Sequence, residues 1–168
     1  MSVIVNNTVI SNFAVAEQLD LLRDITGEIY TTPEVIKEVE EGIKTGRLFL
    51  KQIIQIIKKD DWILVAGLDG KEKSLFDIMP KKLADGECSC LAIALVRGWS
   101  FFSDDWHART YAENNNIPLS GTFGLLNTAV DDKILSEYQA DEILQVMIKN
   151  NYRSPYLNIY TYRRLNLS

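Results

Sequence analysis

The chain has 168 residues, 46% of them hydrophobic and 24% charged, and a formal net charge of −5, which is ordinary for a water-soluble globular protein. That length buries a core without disulfide or metal staples and predicts one domain over 1–168. The acidic balance argues against a generic nucleic-acid binder with a basic footprint, but not against a nuclease, whose metal-binding carboxylates themselves make the count acidic. No apolar run reaches membrane-spanning length, so no membrane contact is expected. The opening MSVIVNNTVISNFA lacks the basic start and cleavage site of a secretory signal. A cytoplasmic location is therefore expected.

Val3 to Val5 reads as a first strand, and Asn6-Asn7-Thr8 as the cap of the helix after it. From Val9 to Leu22 the apolar positions fit helical spacing loosely, with a break near Ala16 to Asp20 that predicts two short helices. Glu28 to Thr31 reads as a second strand. Thr32-Pro33-Glu34 is then a helix start with cap, proline and first-turn acid in order. Val35, Ile36 and Val39 mark that helix's apolar side, Glu38 lies one turn in, and Gly42 to Gly46 ends the pattern. Arg47 to Lys59 predicts a third helix with a heavy apolar load, either packed on a sheet or exposed to a partner. Trp62 to Val65 predicts another strand, Gly67 to Gly70 a turn, and Lys71 to Lys82 a short helix and loop.

Leu83 to Ala112 is the densest stretch. Gly86-Glu87 opens an apolar helix that stops at Gly98, Trp99 to Ser103 reads as a buried strand, and Asp104-Asp105 stands at its carboxyl end. Cys88 and Cys90 are one residue apart on a helix and so point to different sides. They read as small core residues rather than zinc ligands. A helix to about Asn114, a short strand Ile117 to Ser120 and the turn Gly121-Thr122 follow. Helices are predicted over Phe123 to Val130 and Ser136 to Asn150, and a last one starting at Ser154-Pro155. Strands alternating with helices imply an α/β fold, a three-layer sandwich around a parallel sheet of about five short strands.

In such a sheet, ligands bind at the carboxyl ends of the strands. Asn6, Glu38, Glu87, Asp104 and Asp105 all fall near strand ends or helix starts. Carboxylates gathered without a basic partner resist ionisation unless a cation neutralises them, and hard oxygen donors suit Mg²⁺ or Mn²⁺. Such a site activates water and holds the oxygens of a phosphodiester. Each acid also has a plain alternative: Glu87 complementing a helix dipole, Asp104 or Asp105 capping a helix, Glu38 solvated.

The chain also resembles the PIN-domain family, in the prokaryotic branch reading close to GEAEAIALA, then DD-x-x-AR, then GT-x-G. Here those stretches are Gly86-Glu87-Cys88-Ser89-Cys90-Leu91-Ala92-Ile93-Ala94, Asp104-Asp105-Trp106-His107-Ala108-Arg109 and Gly121-Thr122-Phe123-Gly124. The openings VNNTVISNFA and TTPEVIKEV are similar to the family's first two motifs, so the resemblance spans about residues 3 to 126. It implies a metal-dependent ribonuclease, often the toxin of a toxin–antitoxin pair, with a small antitoxin whose tail enters the acidic cleft. By position it implies metal ligation by Asn6, Glu38, Glu87, Asp104 and Asp105, with catalysis by the four carboxylates and Asp105 favoured within its pair. Thr8, Ser103, His107, Arg109 and Thr122 are then residues behind the ligands or toward the RNA. The departure is Asn6, where the family normally has aspartate. An amide oxygen can bind a metal but carries no charge, so the alternative is a catalytically weakened module that binds RNA or protein.

His107, the only histidine, excludes a histidine-rich metal site and reads either as a substrate contact or as an exposed first-turn residue. Arg109 reads as an ion-pair partner or a phosphate contact. No nucleophile elbow, Gly-rich phosphate loop or dinucleotide fingerprint is present. Tyr160, Tyr162, Arg163 and Arg164, with Lys51, Lys58 and Lys59, read as solvated surface before nucleic-acid contact. The Arg47 to Lys59 segment and the C-terminal helices are the expected surfaces for an antitoxin or a homodimer.

Overall fold

A computed structural model of the chain describes residues 1–166. Among them, five short strands form one parallel sheet in the order β3-β2-β1-β4-β5, flanked by ten helices. The strands are β1 Val3–Val5, β2 Ile29–Thr31, β3 Ile63–Val65, β4 Ser100–Phe102 and β5 Leu119–Ser120. Helices α1 (Asn7–Val15) and α2 (Leu19–Thr26) join β1 to β2, and α3 (Pro33–Lys44) and α4 (Lys51–Lys58) join β2 to β3. Helices α5 (Gly70–Asp77) and α6 (Asp85–Arg97) lead to β4, and α7 (Trp106–Asn114) leads to β5. The chain continues through α8 (Thr122–Asp131), α9 (Glu137–Lys149) and α10 (Ile159–Asn166). This is the expected three-layer α/β arrangement. No helix among the described residues is long and apolar enough to cross a membrane.

The inner strand carries the core. Ile4 and Val5 of β1 and Phe101 of β4 are wholly buried, as a strand covered on both faces requires. Helix α6 packs on β1 and β4 with α5 and α7 beside it, and α1 packs with α2, α8 and α9. Cys88 and Cys90 are buried and unbridged within α6. Local signals explain the helix ends. Thr32 accepts from Val35 N–H (3.2 Å) ahead of Pro33, and Gly98 takes the left-handed conformation (φ 68°) that closes α6. Asp69 and Glu72 form a capping box at α5, and the wholly buried Glu72 carboxylate also receives Arg97 from α6 (2.6 Å), pinning the two helices together.

Three sequence boundaries shift. Helix α3 continues through Gly42 to Lys44, because a side chain at Gly42 would lie 2.6 Å from Leu50 Cδ1; the glycine admits the returning chain instead of ending the helix. The Arg47 to Lys59 segment divides into a 3₁₀ turn (Leu48–Leu50) and α4, with Leu50 and Ile53 wholly buried. Most of its apolar load thus faces the core. The last helix begins at Ile159 rather than Ser154-Pro155. There Asp141 of α9 accepts from Ile159 N–H (2.5 Å) and Asn158 accepts from Thr161 N–H (2.7 Å), while Ser154 is occupied with its own turn.

Candidate functional site

The strand order reverses between β1 and β4: chain connections run to β2 and β3 on one side and to β5 on the other. A crevice opens outside the carboxyl ends of two strands related in that way. Asn6 leaves β1 at this point and Ser103, Asp104 and Asp105 leave β4, whose register aligns Val5 with Phe102.

Asn6 is 2% exposed and uses both ends of its amide. Its Oδ1 accepts from Thr8 N–H (3.2 Å) and Thr8 Oγ1 (2.7 Å), and its Nδ2 donates to Ser103 Oγ (2.8 Å). The Thr8 backbone donor fixes which end is oxygen, since it requires an acceptor. The two hydroxyls in turn hold the next strand's exit. Thr8 Oγ1 accepts from Asp104 N–H (2.9 Å), and Ser103 Oγ accepts from Asp105 N–H (3.1 Å). One amide therefore clamps both backbone donors of the aspartate pair.

The two aspartates then diverge. Asp104 turns toward α8: Thr122 N–H donates to Oδ1 (2.8 Å), and Thr122 Oγ1 (2.5 Å) and Asn12 Nδ2 (3.0 Å) donate to Oδ2. Burial raises its pKa, opposed by those three donors and by the nearby Arg109 charge. Arg109 Nη1 donates to the Ser103 carbonyl (2.8 Å), and among the described residues it forms no ion pair with Asp105. The corner is tight. A side chain at Gly121 would lie 2.6 Å from Asp104 Oδ1, 2.8 Å from Arg109 Nη1 and 3.0 Å from the Ser103 carbonyl oxygen.

Asp105 caps α7 by accepting from Ala108 N–H at Oδ1 (2.9 Å). Its charge also bears on Glu87 of α6. Glu87 accepts from Ala84 N–H (2.9 Å), yet burial, with the Asp105 and Glu38 charges adding to it, pushes its pKa up to about 7. Glu38 accepts from Gly86 N–H (2.9 Å), and burial again raises its pKa, aided by Asp85. Gly86 is small because Glu38 crosses it: a Cβ there would sit 2.6 Å from Glu38 Oε1. Beyond Glu38, a hollow lined by Glu34, Lys37, Glu41 and Asp85 contains Glu34 Oε2, buried and without a hydrogen-bond partner among the described residues. No three His, Cys, Asp or Glu among the described residues stand close enough together to hold a metal ion as they are. Each carboxylate instead accepts from a backbone N–H of its own.

On its other side Asp105 borders an open groove of about 1420 Å³. Thr8 and Asn12 of α1 line it, with Trp106 and His107 at the start of α7 and Asn150 to Arg153, Pro155 and Tyr156 from the segment after α9. Tyr152, at the back, accepts from Phe123 N–H (3.1 Å) and so fastens that segment to α8.

The structure thus draws Asn6, Thr8, Ser103 and the backbone of both aspartates into one network, and gathers Glu38, Glu87 and Asp105 beside it. Asp104, Thr122 and Arg109 form a separate corner, and His107 is exposed against Trp106 (ring centroids 5.1 Å apart). Sequence reasoning missed Asn12, Gly86, Glu34 and the aromatic 150–156 segment. The Gly86 contact alone had a local signal, the glycine beside an acid at a helix start. The tail arginines are engaged elsewhere: Arg164, half exposed, pairs with Glu137 (3.2 Å), whereas Arg163 departs from the solvated surface expected, its side chain 17% exposed and held by Asp131 (2.6 Å), Glu137 (3.4 Å) and Asn127 (3.0 Å).

Among comparisons with known proteins, a family profile described as a PIN domain matches residues 2–162. No curated protein matches the chain.

Proposed function

The chain belongs to the PIN-domain family, whose function is nuclease-type and RNA-related, and from that premise we propose that it is a metal-dependent ribonuclease. The observation that carries this reading is that the charges of Glu38 and Asp105 both bear on Glu87 beside the β1–β4 switch point, where burial and those two charges raise its pKa to about 7. Their chemistry fits Mg²⁺ or Mn²⁺, which take hard oxygens and neutralise crowded carboxylates. The orphaned Glu34 oxygen beside Glu38 is a further acceptor that such charge would satisfy. When bound, the ion would supply a Lewis acid that activates water and offsets phosphate charge.

The chain's own residues do the positioning. Glu38, Glu87 and Asp105 would hold the ion, each turning from its backbone donor toward it. The Asn6 amide, through Thr8 and Ser103, fixes the backbone from which Asp105 projects. Asp104 locks the turn to α8, and Arg109 holds the Ser103 carbonyl. Glu87 would have to give up its proton to serve as a ligand, so metal affinity should rise with pH through the neutral range.

The deciding experiment is calorimetric titration with Mn²⁺ and Mg²⁺ of wild type and Asp105→Asn, followed by cleavage of an unstructured RNA. Binding and cleavage that disappear together in the variant support the proposal; equal cleavage by both proteins places the site elsewhere. Asn6 favours a second reading, a weakened binding module, because its amide is consumed by Thr8 and Ser103. A wild type that binds RNA but neither metal nor cuts would be that module. A toxin held by a small antitoxin is the narrower version of the first reading, checked by co-purification with the product of an adjacent gene.

A further inference from the structure

Helix α8 begins without a cap of its own. Gly121 precedes it and offers no side chain to the first turn, so those N–H groups need acceptors from elsewhere in the chain. Thr122 N–H finds Asp104 Oδ1 (2.8 Å), in the corner beside the acidic site. Phe123 N–H finds the Tyr152 hydroxyl (3.1 Å), from the segment that follows α9. Two neighbouring donors on one helical turn thus join the aspartate pair to a part of the chain that the acidic cluster does not use.

The surroundings of Tyr152 hold that hydroxyl in place. The side chain is buried, and burial, with the Asp104 charge adding to it, raises its pKa, so it stays a neutral phenol. Its backbone N–H donates to the Met147 carbonyl at the end of α9 (3.0 Å). Two more tyrosines grip the same α8 residue. The rings of Tyr156 (5.2 Å) and Tyr162 (5.1 Å) pack on Phe123 and on each other (4.6 Å). Further along α8, Arg163 donates to Asn127 (3.0 Å) and Asp131 (2.6 Å). The segment from Tyr152 to Arg163 therefore clasps α8 along its length. Of these contacts, the Tyr152 hydroxyl is the one made to the backbone N–H beside the N–H that holds Asp104.

From Thr122 the fixation passes bond by bond to the acidic site. Thr122 N–H sets the Asp104 carboxylate, and Thr8 Oγ1 accepts from Asp104 N–H (2.9 Å). Asp105 is the next residue, and its own N–H donates to Ser103 Oγ (3.1 Å). There is no slack at Gly121, where a Cβ would already lie 3.0 Å from the Ser103 carbonyl oxygen. A displacement of the first turn of α8 is therefore passed on to the turn that carries both aspartates.

The geometry points to Tyr152 as a positioning residue: by fixing the first turn of α8 it fixes Asp104, and through Asp104 the placement of Asp105. It acts through those residues and not on the reacting atoms. The inference deepens the hydrolase reading and rests on it for what that placement serves. It also makes the C-terminal segment a lever on the site.

The test is Tyr152→Phe, which keeps the ring and removes one hydroxyl. Beside it stands Ile53→Val, which trims the buried core under α4 outside this chain of hydrogen bonds. Both are read at a temperature where circular dichroism shows each variant folded. In EDTA, NMR shows the Asp104 and Asp105 amide resonances shifted in Tyr152→Phe and in place in Ile53→Val. With Mn²⁺ and an unstructured RNA, Tyr152→Phe lowers kcat on the order of ten-fold and leaves KM unchanged, since a misplaced ligand weakens the reaction before it weakens substrate binding. Ile53→Val keeps both constants. Amide shifts confined to Phe123 and residues 150–156 overturn the inference, as does a Tyr152→Phe variant with the kcat of wild type. An equal loss of kcat in Ile53→Val overturns it as well, because the effect would then be one of stability. A wild type that neither binds Mn²⁺ nor cleaves removes the hydrolase alone; the Asp104 and Asp105 resonances then decide the positioning by themselves.

Discussion

Asp104 and Asp105 leave the same strand one residue apart, yet stand in opposite electrostatic situations. Toward α8, Asp104 meets three donors from Asn12 and Thr122, and Arg109 adds a favourable charge. Toward α6, Asp105 adds its charge to Glu87, whose pKa is raised to about 7 by burial first and by the Asp105 and Glu38 charges after it. A carboxylate whose partners are already in place serves architecture. Carboxylates that repel one another serve a ligand yet to come. The strand ends in both kinds because one turn must be fixed for its neighbour to be useful.

Exchanging the two charges separately is the sharpest way to break this contrast. Asp105→Asn keeps an oxygen for Ala108 N–H, and asparagine caps as well as aspartate, so the melting temperature should hardly move. Cleavage, however, should fall on the order of a thousand-fold, since a ligand charge contributes several kcal/mol at such a site. Asp104→Ala should do the reverse in character. It strands the Thr122 and Asn12 donors and should cost about 2–4 kcal/mol in denaturant unfolding at unchanged m-value. If Asp105→Asn unfolds the protein and Asp104→Ala does not, the two roles have been assigned the wrong way round.

Two glycines repeat the comparison at smaller size. A Cβ at Gly121 would meet the Ser103 backbone at 3.0 Å as well as Asp104 and Arg109, and backbone cannot step aside. Gly121→Ala should therefore destabilise by about 1–3 kcal/mol. At Gly86 the clash, 2.6 Å from Oε1, is with the mobile end of Glu38 alone. Gly86→Ala should shift stability by less than about 1 kcal/mol while weakening Mn²⁺ binding, read by calorimetry on the same protein.

Much of this was legible in the chain. Val3 to Val5, the Thr32-Pro33-Glu34 start and the Gly98 stop are local signals, and local structure followed them. The PIN resemblance placed Glu38, Glu87 and the aspartate pair at one end of a sheet. The distinction between Asp104 and Asp105 was not legible, because it depends on Asn12, 92 residues away from Asp104, choosing one of them. Gly42 misled for the same reason: its meaning lies in Leu50 returning against it. The groove stayed hidden because part of its lining is the 150–156 segment, where Ser154-Pro155 read as a helix start and the chain is instead an irregular stretch tied to α8 by Tyr152.

A pH profile sharpens the acidic side further. The folded-state pKa of Glu87 is raised from 4.5 to about 7, so the folded protein holds a proton that the unfolded chain releases. Its contribution is thus most favourable below 4.5 and is lost as pH rises toward about 7. Glu87→Gln should flatten that decline, leaving the variant closer to wild type at pH 5 and relatively more stable at pH 8. Saturating Mn²⁺ should restore the wild type alone. A decline of equal steepness in the variant would place its origin in another group.

The smallest expected change is the most informative about the family departure. In Asn6→Asp, the new oxygen replaces Nδ2 and can accept from the Ser103 hydroxyl, so the clamp on both aspartate N–H groups survives with one donor reversed. The fold should persist, slightly less stable at neutral pH because one more carboxylate joins an unpaired set. That added charge should raise Mn²⁺ affinity a few-fold, and cleavage with it if charge has been limiting. Unchanged affinity would mean that residue 6 faces its two hydroxyls and never the ion. Asn6 would then be neither a lost ligand nor a defect, but the residue that aims Asp105, and Asn6→Ala should lower cleavage by misdirecting that turn while leaving the carboxylate charges intact.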